Sequence, residues 1–433
     1  MSPVEIGVIG LVALLVLLVA SLPVAFVMAL VGTVGFAAIV SPRAALAVLA
    51  SDFMESFASY GLTVIPLFVF MGQVCFHAGI SGKLFKAANR WFGPLRGGLA
   101  MAAVGACAAF GAICGSGPAT AATMASVTLP EMRRYKYSPS LAGGVVAAGG
   151  GLGMLIPPSV VFIVYGIMTE QSIGKLFMAG VVPGILIALL FCAVVAIVCA
   201  IDPSAGPASE KRPLRERLAA LGEISETLIL FALVIGGMFA GFFTPTEGAA
   251  VGAAGSLIVA AISRKLTFRM LARALEETIR TSCMVLIIVA GASVFGHFLA
   301  VTEMPSLLAK WLSGLPLPAW AVMTIIGFFY LVAGCFVDSL ALVMLTVPIF
   351  YPVVLRLGYS PIWFGVLVVV ITQMGVITPP VGVNVYVVSG IDRSIPIQTI
   401  FRGAMPFLLA LFVAAALLIV FPGIATWLPN LAG

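Results

Sequence analysis

The chain has 433 residues, of which 62% are hydrophobic and only 9% charged, with a mean hydropathy of +1.21. No soluble core absorbs that much apolar sequence, and several apolar runs reach the roughly 20 residues that span a bilayer, so a polytopic membrane protein is expected. The formal net charge of +6 comes from basic residues flanking those runs; none interleaves with aromatics as a nucleic-acid surface would, so nucleic acid is not an expected partner.

Taken in chain order, hydropathy and punctuation predict spans at 4–20, 24–40, 61–79, 139–166, 176–200, 224–241, 247–263, 281–300, 362–388 and 403–422. The first lacks a basic leader and a small-residue cleavage site, and it runs directly into the second after Pro23, so it reads as a span. Segments 44–60 and 264–280 are amphipathic. They read either as arms joining a fixed frame to a moving core or as helices lying at the headgroups. Segments 94–131 and 318–352 break in their middles, at 111–118 and 334–339. Each half is about 15 residues, or roughly 22 Å of helix, short of the roughly 30 Å hydrocarbon core, and this predicts two re-entrant helical hairpins. The polar stretch 202–222, with Lys211, Arg212, Arg215, Glu216 and Arg217, reads as a connector. Cys75, Cys107, Cys114, Cys192, Cys199, Cys283 and Cys335 sit in apolar runs without metal-ligand spacing, so they read as small buried hydrophobes, with neither disulfides nor a transition metal expected.

One pattern occurs twice, at an offset of 222 residues. Pro23 matches Pro245, Pro130 matches Pro352, Tyr137-Ser138-Pro139 matches Tyr359-Ser360-Pro361, and Gly153, Pro157 and Pro158 match Gly375, Pro379 and Pro380. An internal repeat interrupted by Gly and Pro at membrane depth is the mark of a secondary transporter. The loops at 80–96, 131–137, 202–222, 264–280 and 390–402 hold 18 of the 22 Lys and Arg residues, leaving Arg43, Lys175, Lys310 and Arg356 opposite. The positive-inside rule makes those loops cytoplasmic, which puts the hairpin mouths on opposite faces and both termini outside. The expected fold is all-α: about ten spanning helices, two hairpins and two proline-broken helices in two inverted repeats. The first repeat is 1–201, the linker 202–222 and the second repeat 223–433, with a transport core at about 61–166 and 281–388.

The chemistry is expected at four breaks. One tip reads Gly115, Ser116, Gly117, Pro118, Ala119, Thr120; the other reads Phe336, Val337, Asp338, Ser339. A helix broken at membrane depth frees carbonyls and amides that lipid cannot satisfy, so protein, water or a bound ion must do so. The other two breaks are GMLIPPS, ending at Ser159, and GVITPPVGVN, with Thr378, Gly382 and Asn384. Adjacent prolines remove amide donors and kink a helix, leaving carbonyls for a cation; a simple kink is the alternative, less natural for a pair duplicated at matched positions. Asp338 is the one acidic residue at a tip, readable as cation ligand, proton carrier or N-cap. The glycine runs 143–144 and 149–151 read as helix-packing surfaces. His77 and His297 stand at nearly matched positions and read as packing residues.

The motifs GSGPATAATMASVTLPEM, GLGMLIPPS, FTPTEGAA, CFVDSLALVMLTVPIFYPV and GVITPPVGVNVYV together resemble the large membrane subunit (DctM-like) of tripartite ATP-independent periplasmic (TRAP) transporters, in the ion-transporter superfamily. At the first tip the chain has Gly117 and Pro118 where the family usually carries a second small polar residue. The resemblance implies sodium-driven uptake by an elevator movement in the bacterial inner membrane, and no enzymatic activity or cofactor beyond the coupling ion. It also implies two partners: a small membrane subunit, here expected as a separate polypeptide, and a soluble periplasmic binding protein. Carried over, it puts one sodium near Gly115, Ser116, Pro157 and Ser159, and another near Asp338, Ser339, Thr378, Gly382 and Asn384. Substrate, an organic acid such as a C4-dicarboxylate or sialic acid, would touch Ser116, Thr120, Ser159, Ser339 and Asn384. A self-sufficient or proton-coupled transporter of the same superfamily is the alternative.

Overall fold

In the computed structural model, which describes residues 1–20, 22–208, 213–314 and 316–431, the protein is helical throughout, with no strand among the described residues. Lys211 and Arg212 of the expected linker lie outside the described residues. The first repeat comprises α1 (Pro3–Val19), α2 (Val24–Ile39), α3 (Pro42–Ala58), α4 (Val64–His77), α5 (Ile80–Phe92), α6 (Gly98–Cys114), α7 (Gly117–Arg134), α8 (Pro139–Gly150), α9 (Leu152–Leu155), α10 (Val160–Met168) and α11 (Ile173–Ile201). After the linker helix α12 (Leu214–Glu223), the order recurs. It runs through α13 (Ser225–Phe239), α14 (Pro245–Ile262), α15 (Phe268–Thr302), α16 (Met304–Ser313), α17 (Ala319–Gly334), α18 (Ser339–Arg356), α19 (Pro361–Gly375), α20 (Val383–Ile391), α21 (Ile397–Val420) and α22 (Gly423–Leu431).

The duplicated motifs are helix punctuation. In each Tyr-Ser-Pro, the proline occupies the first turn of a helix, α8 or α19, where its missing amide costs nothing. FTPTEGAA is the start of α14: the Thr244 hydroxyl accepts from Glu247 N, and the Glu247 carboxylate accepts from Thr244 N at 2.8 Å, a capping box.

Among the described residues, six helices, counting α8 to α10 as one, are long and apolar enough to cross a bilayer, and two bent pairs raise the number to eight. The predicted spans at 4–20 and 24–40 form helices of only 17 and 16 residues. The hairpin arms have 17, 18, 16 and 18 residues, longer than expected, and α18 alone qualifies as a span. Arm length therefore does not argue for re-entrance; what sets these stretches apart is that their tips meet inside the protein.

The two amphipathic segments differ. A 55° bend at residues 59–60 separates α3 from α4, where Ser59 is extended. The segment 264–280 is instead largely continuous with its span in the 35-residue α15, which has no glycine or proline at the junction. Packing also divides the expected core differently. Helix α4 and the second half of α15 pack on α14 and α2, together with α1, α3 and α13, while α6 to α11 and α17 to α22 form a second group around α8 and α21. Besides the linker at α12, the chain passes between the groups through α5, which packs on α6 and α12, and α16, which packs on α18. Both short helices follow a residue of positive φ, Gly79 (φ 78) and Glu303 (φ 56). α5 and α16, not 44–60 and 264–280, are the bridging elements.

The α8–α21 seam brings backbones together. A Cβ on Gly144 would lie 2.1 Å from the Gly403 carbonyl carbon, whereas one on Gly236 would meet nothing within 4 Å. Gly144→Val should cost at least about 1–3 kcal/mol by overpacking, read as a lower melting temperature of the detergent-purified protein. Gly236→Ala should leave it unchanged or raise it slightly.

Candidate transport site

Each hairpin tip is laid against the proline break of its own repeat. Helix α6 ends at Gly115 (φ 67), whose carbonyl accepts a hydrogen bond from Val160 N at 3.2 Å. A Cβ there would approach Pro158 O to 2.7 Å. In the second repeat, Val381 N donates to Cys335 O at 3.3 Å. The backbones also touch through glycine pairs: a Cβ on Gly111 would be 2.6 Å from Gly153 Cα, and one on Gly375 would be 2.4 Å from Gly334 C. Both Pro157–Pro158 and Pro379–Pro380 are cis.

Between the tips lies a cavity of about 240 Å3. Gly115, Ser116 and Gly117 line it from one tip, and Asp338 and Ser339 from the other. Gln73 of α4 and Thr281 of α15 face them from the opposite wall, which belongs to the other packing group. Asp338 is exposed to this space, and its carboxylate accepts from Leu340 N at 3.0 Å, capping α18. The Ser339 hydroxyl is buried and has no hydrogen-bond partner. Helices α7 and α18 both begin here, after N-caps Ser116 and Asp338, so two partial positive helix ends face the cavity. No Lys or Arg lines it among the described residues.

The structure thus gathers Gly115, Ser116, Asp338 and Ser339. It does not bring Thr120, Ser159 or Asn384 to the cavity wall, where substrate contact was expected. The Ser159 hydroxyl bonds Met154 O and caps α10 by accepting from Phe162 N at 3.3 Å. Thr120 is fully buried with an unpartnered hydroxyl, close to Gly153 of the broken helix. Asn384, also fully buried, reaches into the first repeat, where Nδ2 donates to Ala147 O at 3.0 Å, leaving Oδ1 without a partner. Pro157 is buried behind the first tip, Thr378 donates to Met374 O at 2.7 Å, and Gly382 (φ 60) starts α20. Gln73 and Thr281 were missed because they lie on unbroken helices; the available signal was a lone amide in an apolar run. The histidines also have partners. His77 Nε2 lies 3.3 Å from Glu277 Oε2, and His297 Nε2 lies 3.4 Å from Asp52 Oδ1.

Two hairpin tips, one from each repeat and each laid against its own proline break, meeting on one cavity of an all-helical membrane protein, define the class: a multi-pass secondary-transporter fold. Residues 11–424 match the family described as "Tripartite ATP-independent periplasmic transporter, DctM component", and the chain belongs to that family of transporter large permease subunits. It is 38% identical over 386 residues to the C4-dicarboxylate TRAP transporter large permease protein DctM of Pseudomonas aeruginosa, covering 89% of this chain and 90% of that one. It is 33% identical to the sialic acid TRAP transporter large permease protein SiaM of Vibrio cholerae, covering 88% and 89%. With the isethionate TRAP transporter permease protein DctMQ of Oleidesulfovibrio alaskensis it shares 36% identity, spanning 84% of this chain and 57% of that one. Among solved structures, the YdaH transporter of Alcanivorax borkumensis superposes with a TM-score of 0.63 at 16% identity, covering 88% of each chain, which shows a common fold.

Gln73→Ala and Thr281→Val should each raise the half-saturating concentration of transported substrate by about fivefold, the loss of roughly one net hydrogen bond. Uptake kinetics over a range of substrate concentrations measure it.

Proposed function

We propose that this chain is the large subunit of a sodium-coupled TRAP transporter that takes up a small organic acid across the bacterial inner membrane, with both termini on the periplasmic side. The observation that carries this reading is the meeting of both tips on one cavity, each tip backed by its own proline break. At each tip a helix ends and another begins. The closing carbonyls at Gly115 and Cys335, with Ser116, Asp338, Ser339 and the partnerless hydroxyl of Thr120, supply the hard oxygens a sodium ion takes; the opening ends of α7 and α18 attract a carboxylate.

A small substrate is favoured by the cavity's size, about 240 Å3, below the roughly 300–1,000 Å3 typical of drug-sized sites. That suits a C4-dicarboxylate or similar acid better than a sugar acid. With no basic side chain on its wall, bound sodium would complete the positive field, which makes cation and anion binding mutually dependent. The elevator movement we assign carries α6 to α11 and α17 to α22 past α1 to α4 and α13 to α15, with α5 and α16 as the flexing connectors. Support comes from the packing groups and from the tip cavity being walled by both.

A small membrane subunit and a periplasmic binding protein complete the transporter; the DctMQ relative, of which this chain spans 57%, supports a permease that includes more than this subunit.

In vesicles holding the complete tripartite system, Asp338→Asn should raise the half-saturating sodium concentration about tenfold or more, the loss of at least one charge-assisted contact, and Ser116→Ala by several-fold. Unchanged sodium dependence in both variants would remove the site assignment. Uptake driven by a pH gradient without sodium would make Asp338 a proton carrier instead.

A further inference from the structure

Helix α15 carries all its formal charge at one end. Between 264 and 280 the sequence has Arg264, Lys265, Arg269, Arg273 and Arg280 against Glu276 and Glu277, whereas 281–302 has no Lys, Arg, Asp or Glu. Glu277 is taken up by His77 at 3.3 Å. No ion pair among the described residues engages any of the five cations.

At 3.6 residues per turn, the charged end divides into three stripes. Met270, Ala274, Thr278 and Ser282 are buried and face inward. Phe268, Ala272, Leu275 and Ile279 form an exposed apolar stripe, with Phe268 at 87% and Ile279 at 61% exposure. Arg269, Arg273 and Arg280 form an exposed basic stripe beside it, and Glu276 stands where the two meet. The uncharged part of the helix, 281–302, is roughly 33 Å long at 1.5 Å per residue, which matches the roughly 30 Å hydrocarbon core. That match places the charged end at headgroup level, where a helix with adjoining apolar and basic faces lies at the boundary between acyl chains and headgroups.

We infer that this end of α15 is a binding surface for anionic phospholipid, with headgroup phosphate paired to Arg269, Arg273 and Arg280 and acyl chain laid along Phe268, Leu275 and Ile279. Charge complementarity selects the occupant. The first turn of α15 has no acidic residue, and the helix end is itself partially positive, so the arginines repel one another and the helix end until an anion joins them. A soluble anion would answer the charge and leave the apolar stripe uncovered. A zwitterionic lipid would cover the stripe but bring a cation of its own. An anionic lipid does both in one molecule, and basic residues flanking a span attract such headgroups at about fivefold each. The placement matters for the tip cavity because Arg280 is followed directly by Thr281, which forms part of its wall. A lipid held here fixes the depth of that wall in the bilayer. The inference does not depend on which ion drives transport.

Native mass spectrometry of the detergent-purified protein, together with the membrane subunit that accompanies it, tests the surface by titration with phosphatidylglycerol and with phosphatidylcholine. At least one phosphatidylglycerol should bind about tenfold or more tightly than phosphatidylcholine. Arg269→Gln, Arg273→Gln and Arg280→Gln, all at exposed positions, should each weaken that binding about fivefold, and the triple variant should erase the preference. Arg393→Gln with Arg402→Gln removes two exposed cations from the other packing group and should leave it unchanged. The wild type provides a check that needs no variant: raising ammonium acetate from 0.1 to 1 M shortens the screening length from about 10 Å to about 3 Å and should remove most of the preference. Equal affinity for the two lipids, a preference that survives the triple variant or high salt, or one lost equally in the Arg393/Arg402 control overturns the surface. Release of the accompanying subunit by the triple variant, with lipid preference intact, assigns the stripe to that protein instead and overturns it as well.

Discussion

The fold turns on backbone left over when a helix is broken where lipid surrounds it. Four breaks free amides and carbonyls that the bilayer cannot satisfy, each worth several kcal/mol if orphaned. The protein resolves this by pressing breaks together in pairs: Val160 N to Gly115 O at one tip, Val381 N to Cys335 O at the other. Such contacts require backbones to approach without intervening side chains, hence the glycine pairs Gly111 with Gly153 and Gly334 with Gly375. Once tips and breaks are paired, both tips line one cavity.

Pairing within repeats does not by itself assemble the site; contacts between repeats do. Asn384 of the second broken helix donates to Ala147 of the first, and Arg133 at the end of α7 bonds Asp392 just beyond α20. Tyr165 of α10 donates to Pro361 O at the start of α19 at 2.6 Å. Each ties one repeat's hairpin or broken helix to the other repeat's broken helix. They hold both tips in one body, so that both tips line the same cavity.

What the sequence disclosed and what it withheld divide along this line. Helix breaks are local events; the repeat offset exposed the two proline breaks, and interruptions of apolar runs at 111–118 and 334–339 exposed the two tips. Gly115, Ser116, Asp338 and Ser339 were legible for that reason. Side-chain direction was not. Ser159 and Asn384 stood beside the right breaks, yet one is consumed as a helix cap and the other by a carbonyl of the opposite repeat. The amphipathic segments were visible from composition, but whether they bridge two groups depends on what α4 and α15 pack against, and that was decided by glycine-lined contacts with α2 and α14. The 222-residue register did hold the clue: α5 corresponds to α16, and both follow a residue of positive φ.

No basic side chain among the described residues lines the tip cavity. A fixed arginine would hold a carboxylate whether or not sodium were present, and a charge-paired anion would stabilise the empty-of-sodium carrier, uncoupling the two fluxes. A field built from helix ends is weaker, roughly half a charge at each terminus, and Asp338 on the same wall opposes an anion outright. In the sodium-coupled function we propose, cation binding would come first, neutralising that carboxylate and completing the site. Coupling of that proposed kind would need no separate gate: the free energy of placing the acid would depend on the ion already being there, and by linkage the ion would be held more tightly once the acid arrives.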